Sequence, residues 1–300
     1  MTWESKELFS KKDLWFLQTE LSAKERNKFK LFSSSQDYNK IPMHVLLKKI
    51  TSSVERFKQL ILLFDNFKFN EFELENQIMS RAELEFCMNK KIHQLGPLAL
   101  QFQGSKSILT KPLVAIIGSR HPTFYGREQA FRFAKELSSW GCTILSGGAI
   151  GVDSIANSVA LERGGGSCAI LGSGLKNLYP PSNYFLFNQL KHSQDGLILS
   201  EFSANEPPQK WNFPKRNHTI ALLADFVLII EAAYTSGSLI TANAALEYGT
   251  DVGAIPGSVD CENSEGANSL IQNGAYCIQK PQDVLERVES IFAYRATKGY

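Results

Sequence analysis

The stretch Ser146-Gly147-Gly148-Ala149-Ile150-Gly151-Val152-Asp153 decides the fold, because it follows an apolar run at residues 142–145 and precedes a helical pattern at residues 154–161. Glycines in such a turn let the backbone approach an anion, and the free N–H groups at the start of a helix can donate to it. Many tight strand-to-helix turns also need glycine and bind nothing. The motif alone therefore leaves a phosphate site and a purely structural turn as open alternatives.

The same construction recurs along the chain. Further apolar runs end in loops of small or polar residues at 113–117, 167–171, 197–199, 225–230 and 252–255. Helical apolar spacing follows at residues 126–140 and 239–248. Strands that alternate with helices predict an α/β fold, a Rossmann-like doubly wound and mostly parallel sheet. Ligands of such sheets bind outside the carboxyl ends of the strands, where these loops converge.

Two classes of nucleotide-binding protein are disfavoured by the loops. The first apolar run is followed by Gly118-Ser119-Arg120-His121-Pro122, which lacks the three-glycine spacing of a dinucleotide site. The chain has no lysine followed by serine or threonine after a glycine-rich loop, which disfavours a P-loop nucleotidase. The loops offer donors for an anion but no obvious catalytic groups. We therefore expect a binding protein that is not an enzyme and needs no cofactor or metal ion.

Composition favours a cytoplasmic protein without membrane contact. The longest apolar stretch, residues 220–230, is broken by Asp225 and is too short to cross a bilayer. The 5 cysteines are odd in number and lack metal-ligand spacing, which suits a reducing compartment. A helical pattern at residues 54–64 and a polar linker at 101–111 predict a helical N-terminal domain over 1–104 and a Rossmann-like domain over 105–300.

Basic residues collect in the first half of the predicted sheet. Residues 105–216 contain 12 Lys and Arg against 7 Asp and Glu, whereas residues 217–300 contain 4 against 10. Within this basic half, residues 208–218 interleave cations with Trp211 and Phe213. Phosphates attract cations and unpaired bases stack on aromatic rings, so this mixture favours a single strand of nucleic acid. The alternative is that the two rings merely anchor a loop against the sheet.

Taken in order, the motifs resemble those of the DNA-processing protein A (DprA/Smf) family. They are GSR at 118–120, SGGAIGVD at 146–153, LGSGL at 171–175, FPKRN at 213–217, SGSLITA at 236–242 and GANSLI at 266–271. The resemblance covers roughly residues 113–281. It implies an extended Rossmann-like domain, usually a homodimer, that binds and protects single-stranded DNA. It also implies help in loading the RecA recombinase onto incoming DNA during natural transformation and recombination.

The resemblance also assigns site residues by position. Arg120 would hold a DNA phosphate, Phe213 would contact a base, and Asn217 would fix its loop or donate to DNA. The rest of the expected pocket consists of loop residues and cations: Gly118, Ser119, Ser146, Gly147, Gly148, Gly151, Lys176, Lys210, Lys215, Arg216, Ser236 and Gly237.

The chain departs from the family pattern at several places. His218 stands where the family usually has arginine, Asn157 where it has histidine, and Lys176 where an acidic residue is common. We expect DNA binding to persist with altered strength, because a neutral histidine adds less to phosphate affinity than arginine. Many members carry a winged-helix module after the core. Only residues 283–300 follow Pro281, enough for one helix, so the module is expected to be absent.

Two other functions stay open at this stage. The loops could hold a mononucleotide in an enzyme related to nucleotide phosphoribohydrolases, with Glu231 and Glu247 as its acids, or in a regulatory nucleotide sensor. The Ser236-Gly237-Ser238 loop lacks the paired glycines and the adjacent acid expected of such an enzyme. The cation-rich aromatic segment makes a sensor less favoured than a protein that binds a nucleic-acid strand.

Overall fold

The computed structural model describes residues 11–22, 24–26, 28–29, 43–66, 78–93 and 96–298. A nine-stranded sheet forms its centre. The strands are β1 (Ile78–Ser80), β2 (Ala99–Gly104), β3 (Leu113–Ile117), β4 (Thr143–Ser146), β5 (Ser167–Leu171), β6 (Gly196–Ser200), β7 (Phe226–Ile229), β8 (Asp251–Ala254) and β9 (Tyr276–Cys277).

Helices cover both faces of the sheet. Within the described ranges they are α1 (Lys11–Glu20), α2 (Met43–Ile50), α3 (Val54–Asn66), α4 (Arg81–Met88), α5 (Phe124–Ser139), α6 (Val152–Glu162), α7 (Tyr184–His192), α8 (Asn212–Leu223), α9 (Gly237–Glu247), α10 (Glu262–Gln272) and α11 (Pro281–Lys298). None of the helices in these ranges is both long enough and apolar enough to cross a membrane.

The strand order is β1-β2-β6-β5-β4-β3-β7-β8-β9, and β3 to β9 pair in parallel. Each of the central strands is an apolar run that is buried on both faces, as parallel strands between helical layers require. The predicted α/β, mostly parallel Rossmann-like sheet is confirmed. β4 lies on one side of β3 and β7 on the other, so the direction of winding reverses there and a crevice opens at the carboxyl ends.

The N-terminal part of the chain adds strands that the sequence pattern missed. Residues 78–104 were predicted to belong to a helical domain, but β1 and β2 extend the sheet, with Gln101 of β2 paired antiparallel to Ser200 of β6. The helices before them form a separate small core that includes Phe16, Leu47 and Leu60. The division into two domains stays a prediction, whereas the sheet itself begins at Ile78.

Candidate functional site

A cleft of about 660 Å³ lies at the carboxyl ends of β3 and β7, where the winding of the sheet reverses. The loop after β3, the start of α8 and the start of α9 form its walls. Most of the expected site residues line it: Gly118, Ser119, Arg120, Lys210, Phe213, Arg216, Asn217, Ser236 and Gly237, with Gly147 in an adjoining recess. Motifs far apart in the sequence thus converge on one site.

Phe213 is half-buried at the centre of the cleft, and two arginines lie against its ring. The guanidinium carbon of Arg120 is 5.7 Å from the ring centroid and that of Arg216 is 6.0 Å from it. The ring of Tyr179 lies 5.9 Å away, centroid to centroid. On the other side, a Cβ added at Gly172 would come within 2.8 Å of the ring, so glycine lets Phe213 pack there. The ring is held in one orientation beside cations that attract its face.

The segment at residues 208–218 is largely helical rather than a loop. Pro214 occupies the first turn of α8, where its missing N–H group breaks no helical hydrogen bond. Residues three apart share a helix face, so Phe213 and Arg216 both point to the cleft. Trp211 precedes the helix and is 68% exposed, so it does not anchor the segment to the sheet.

Two of the expected cations lie outside the cleft. The Lys215 ammonium is 3.1 Å from the Glu201 carboxylate, which also accepts a hydrogen bond from Thr219. This contact directs Lys215 towards the N-terminal helices, because the Gln18 amide of α1 donates to Glu201 as well. Lys176 is exposed on the turn after β5, where its backbone N–H donates to Ala204. Neither side chain lines the cleft.

The other two departures from the family pattern, His218 and Asn157, also lie away from the cleft. His218 Nδ1 is 2.7 Å from the hydroxyl oxygen of Tyr248. The Asn157 amide is buried and donates to Ser167 Oγ and Cys168 O. Both side chains therefore make contacts within the fold, and the cleft does not depend directly on either.

Fewer residues of the loop after β4 line the cleft than the sequence predicts. Ser146 is fully buried and donates to Ile116 O, and Gly148 packs against Phe187. Gly151 has a φ of +84° and a ψ of −129°, and a Cβ there would lie 2.5 Å from Ser119 O. Glycine is required at 151 because both the backbone conformation and this close approach exclude a side chain. None of the three lines the cleft; they shape its floor.

A buried cation forms part of that floor. Arg216 is 5% exposed and donates to the carbonyl oxygens of Ile170, at 2.7 Å, and of Gly147. Burial is the main influence on its pKa, which is lowered to about 10, and the Asp153 carboxyl opposes that shift. Because this pKa is well above 7, Arg216 stays protonated at neutral pH and holds a permanent positive charge in the cleft.

Asp153 lines the same floor, although no sequence signal assigned it to the site. Burial raises the pKa of its carboxyl group, and the Arg216 cation is the largest influence that opposes the rise. Hydrogen bonds from the backbone of Ala149 and Gly147 also favour the ionised form. Its position at the end of the glycine-rich motif was the available clue.

The start of α9 closes the cleft on the side of β7. Ser236 Oγ accepts from the Ser238 N–H, and Ser238 Oγ donates to Gly118 O at 3.0 Å. The Asn217 amide donates to Gly237 O at 3.1 Å, so Asn217 fixes the two helix starts together. The first N–H groups of a helix carry partial positive charge, and this helix start lies beside the exposed side chains of Arg120 and Lys210.

The two candidate acids of the enzyme alternative are not in the cleft. Glu231 is buried, and its carboxylate accepts from the Thr123 N–H at 2.9 Å and from the Thr123 hydroxyl, at the start of α5. Glu247 is exposed at the far end of α9 from Gly237. The carboxyl group that does line the cleft is that of Asp153, which is already bonded within the protein.

The sequence profile described as "DNA recombination-mediator protein A" matches residues 77–289. Protein Smf of Escherichia coli is 40% identical over 193 residues, 64% of this chain and 51% of that protein. The DNA processing protein DprA of Streptococcus pneumoniae is 40% identical over 194 residues, 65% of this chain and 68% of that protein. The match thus spans about half the length of the E. coli relative.

Solved structures agree with this assignment. The X-ray structure of DprA from S. pneumoniae superposes with a TM-score of 0.76 at 31% identity, covering 93% of this chain and 98% of that chain. DNA processing protein A from Helicobacter pylori superposes with a TM-score of 0.59 at 34% identity, covering 65% of this chain and 88% of that chain. The profile matches well over half of the chain, and the chain belongs to the DNA recombination-mediator protein A family.

Proposed function

We propose that the cleft binds single-stranded DNA, with phosphates held by Arg120, Lys210 and the start of α9 and a base against Phe213. The observation that carries this proposal is the half-buried Phe213 ring with two guanidinium groups within about 6 Å of its centroid in the crevice of the sheet. A relative supports it, because the H. pylori protein has a described single-stranded DNA binding mode.

The geometry favours a single strand over a duplex. Bases in a duplex are paired and stacked on one another, so they cannot reach an aromatic ring inside a cleft, whereas unpaired bases can. Exposed aromatic side chains continue beyond Phe213, since Tyr179 and Trp211 are 42% and 68% exposed. Arg120 and Lys210 lie on the exposed rim, where they can neutralise the phosphates that connect successive bases.

We propose that the protein binds the strand without catalysing a reaction on it. Glu231 and Glu247 lie outside the cleft, and Asp153 is bonded to the backbone, so within the described residues no carboxyl group is placed to act as a general acid. From the family resemblance we further propose that the protein is a cytoplasmic homodimer that delivers the strand to the RecA recombinase. RecA ATP hydrolysis on a strand coated with single-strand-binding protein should rise when the chain is added and stay unchanged if RecA is not a partner.

Fluorescence anisotropy with a labelled oligo(dT) 20-mer and a matched duplex across a salt series tests strand binding. Arg120→Ala should weaken binding about tenfold and reduce the salt slope by about 0.7, because one phosphate contact is lost. Phe213→Ala should weaken binding at least about fivefold through lost stacking. Both changes should affect the single strand more than the duplex.

Matched controls come from α5, outside the cleft. Arg132→Ala removes an exposed arginine that lies 3.6 Å from Glu136, and Phe131→Ala removes a phenylalanine that is 41% exposed. Both should bind the strand like the unmodified chain. Equal affinities and salt slopes for the cleft variants and their controls would refute the proposal, as would a preference for the duplex.

A further inference from the structure

The carboxyl group of Asp153 lies inside the glycine-rich loop, where a phosphate would be expected. The Gly147 N–H donates to Asp153 Oδ2 at 3.0 Å, and the backbone of Ala149 also bonds this carboxyl. The Val152 N–H, at the start of α6, donates to Ser119 O. Donors that such loops offer to an anion are thus already used within the protein.

The surrounding atoms complete this arrangement. A Cβ added at Gly147 would lie 2.5 Å from Arg216 Nη1 and 2.7 Å from Asp153 Oδ2, so the glycine separates a buried cation from a buried carboxyl. Asp153 is 5% exposed and faces the cleft, and the Arg216 guanidinium is already bonded to Ile170 O. A phosphate that reached this floor would meet the Asp153 carboxyl and a cation whose Nε and Nη1 donors are already bonded within the protein.

We propose that Asp153 occupies the anion position of the glycine-rich loop and thereby makes the cleft reject free phosphate and mononucleotides. A strand then binds through the exposed rim and Phe213, where several nucleotides can contact the protein at once. Asp153 is a positioning residue, since it acts through Gly147 and Arg216. The geometry alone supports the occupied anion position, whereas the selectivity of the cleft for a strand over small anions rests on the proposed function.

Chemical rescue tests the occupied position. Asp153→Ala removes the carboxyl and leaves a space in which formate can take the same hydrogen bonds. Sodium formate at about 100 mM should raise the Tm of this variant by at least about 2 °C relative to sodium chloride at equal ionic strength. Asp153→Asn fills the space with an amide, so formate should leave its Tm unchanged.

Controls separate rescue from a general salt effect. The unmodified chain and Asp195→Ala, which removes a carboxyl that is 40% exposed, should show no formate-specific change in Tm. If Asp153→Ala is recovered unfolded, formate should raise its refolding yield from urea above that obtained in chloride. Equal Tm values and equal refolding yields in formate and chloride would overturn the proposed anion position.

The selectivity is read by competition against a labelled oligo(dT) 20-mer. At constant ionic strength, orthophosphate or AMP at about 10 mM should not displace the strand from the unmodified chain. Orthophosphate should displace the strand from Asp153→Ala at no more than about one fifth of that concentration. Displacement from the unmodified chain at equally low concentrations would overturn the selectivity. Absence of strand binding by the unmodified chain would instead refute the proposed function, while formate rescue would still test the anion position.

Discussion

Replacing Arg216 with methionine removes the buried cation of the cleft while keeping much of the apolar volume of its side chain. The carbonyl oxygens of Gly147 and Ile170 then lose a donor, and the Asp153 carboxyl loses the nearby cation that favours its ionised form. A hydrogen bond from a charged donor contributes about 1.5–3 kcal/mol, and removing one partner of a buried charge pair costs about 3–5 kcal/mol. We expect the free energy of unfolding of Arg216→Met to fall by about 3–5 kcal/mol.

Urea unfolding of the full chain measures this loss, and the adjacent lysine supplies the control. Lys215 pairs with Glu201 through a side chain that is 35% exposed, so Lys215→Met should cost only about 1 kcal/mol after solvent screening. Asp153→Asn should destabilise Arg216→Met less than it destabilises the unmodified chain, because the two groups interact. Equal urea midpoints for Arg216→Met and Lys215→Met at unchanged m values would refute the assigned role of the buried cation.

Three further predictions address the support of the cleft. Gly151→Ala should lower the free energy of unfolding by about 2 kcal/mol or more and weaken strand binding. The φ of +84° disfavours a side chain, and an added Cβ would lie 2.5 Å from Ser119 O. Unchanged urea midpoints would contradict this prediction. Thr123→Ala should cost about 1–2 kcal/mol, because the hydroxyl caps α5 by accepting the Gly126 N–H at 3.1 Å, and a loss below 0.5 kcal/mol would count against the cap. Burial raises the pKa of Cys142 to about 12, so dithionitrobenzoate at pH 8 should label the exposed Cys277 in the native state and Cys142 only after unfolding.

The sheet and the location of the cleft could be predicted from the sequence because parallel strands read as apolar runs that end in small residues. β3 and β7 are such runs, and their following loops carry Arg120 and Ser236. β2 escaped detection because it has an alternating sequence, ALQFQG, and pairs antiparallel to β6. Its partner is almost a hundred residues away in the chain, and local periodicity contains no information about that pairing.

The cations of the cleft could be predicted only in part. Lys215 and Arg216 are adjacent cations that the sequence pattern does not distinguish. Successive residues of a helix point about 100° apart, so the Lys215 side chain reaches Glu201 and the Arg216 side chain reaches Gly147. The sequence pattern did not place these two residues on the helix that separates their side chains. Asp153 was read as the last residue of the glycine-rich motif, and its contact with the loop depends on the positive φ of Gly151, which the sequence does not specify.

In the proposed binding mode, the two arginines beside Phe213 have different roles. Arg216 loses its water when the chain folds, and its hydrogen bonds to Gly147 and Ile170 fix its position, so the desolvation of this cation is complete before any ligand arrives. Arg120 is exposed and its guanidinium lies against the Phe213 ring, so its side chain can turn towards a phosphate. Because we propose that the Asp153 carboxyl occupies the anion position, we expect the floor to add little attraction for a small anion and recognition to depend on the exposed rim and the aromatic face. A ligand gains from both only if it carries phosphates and unpaired bases in succession, which is the chemistry of a single strand.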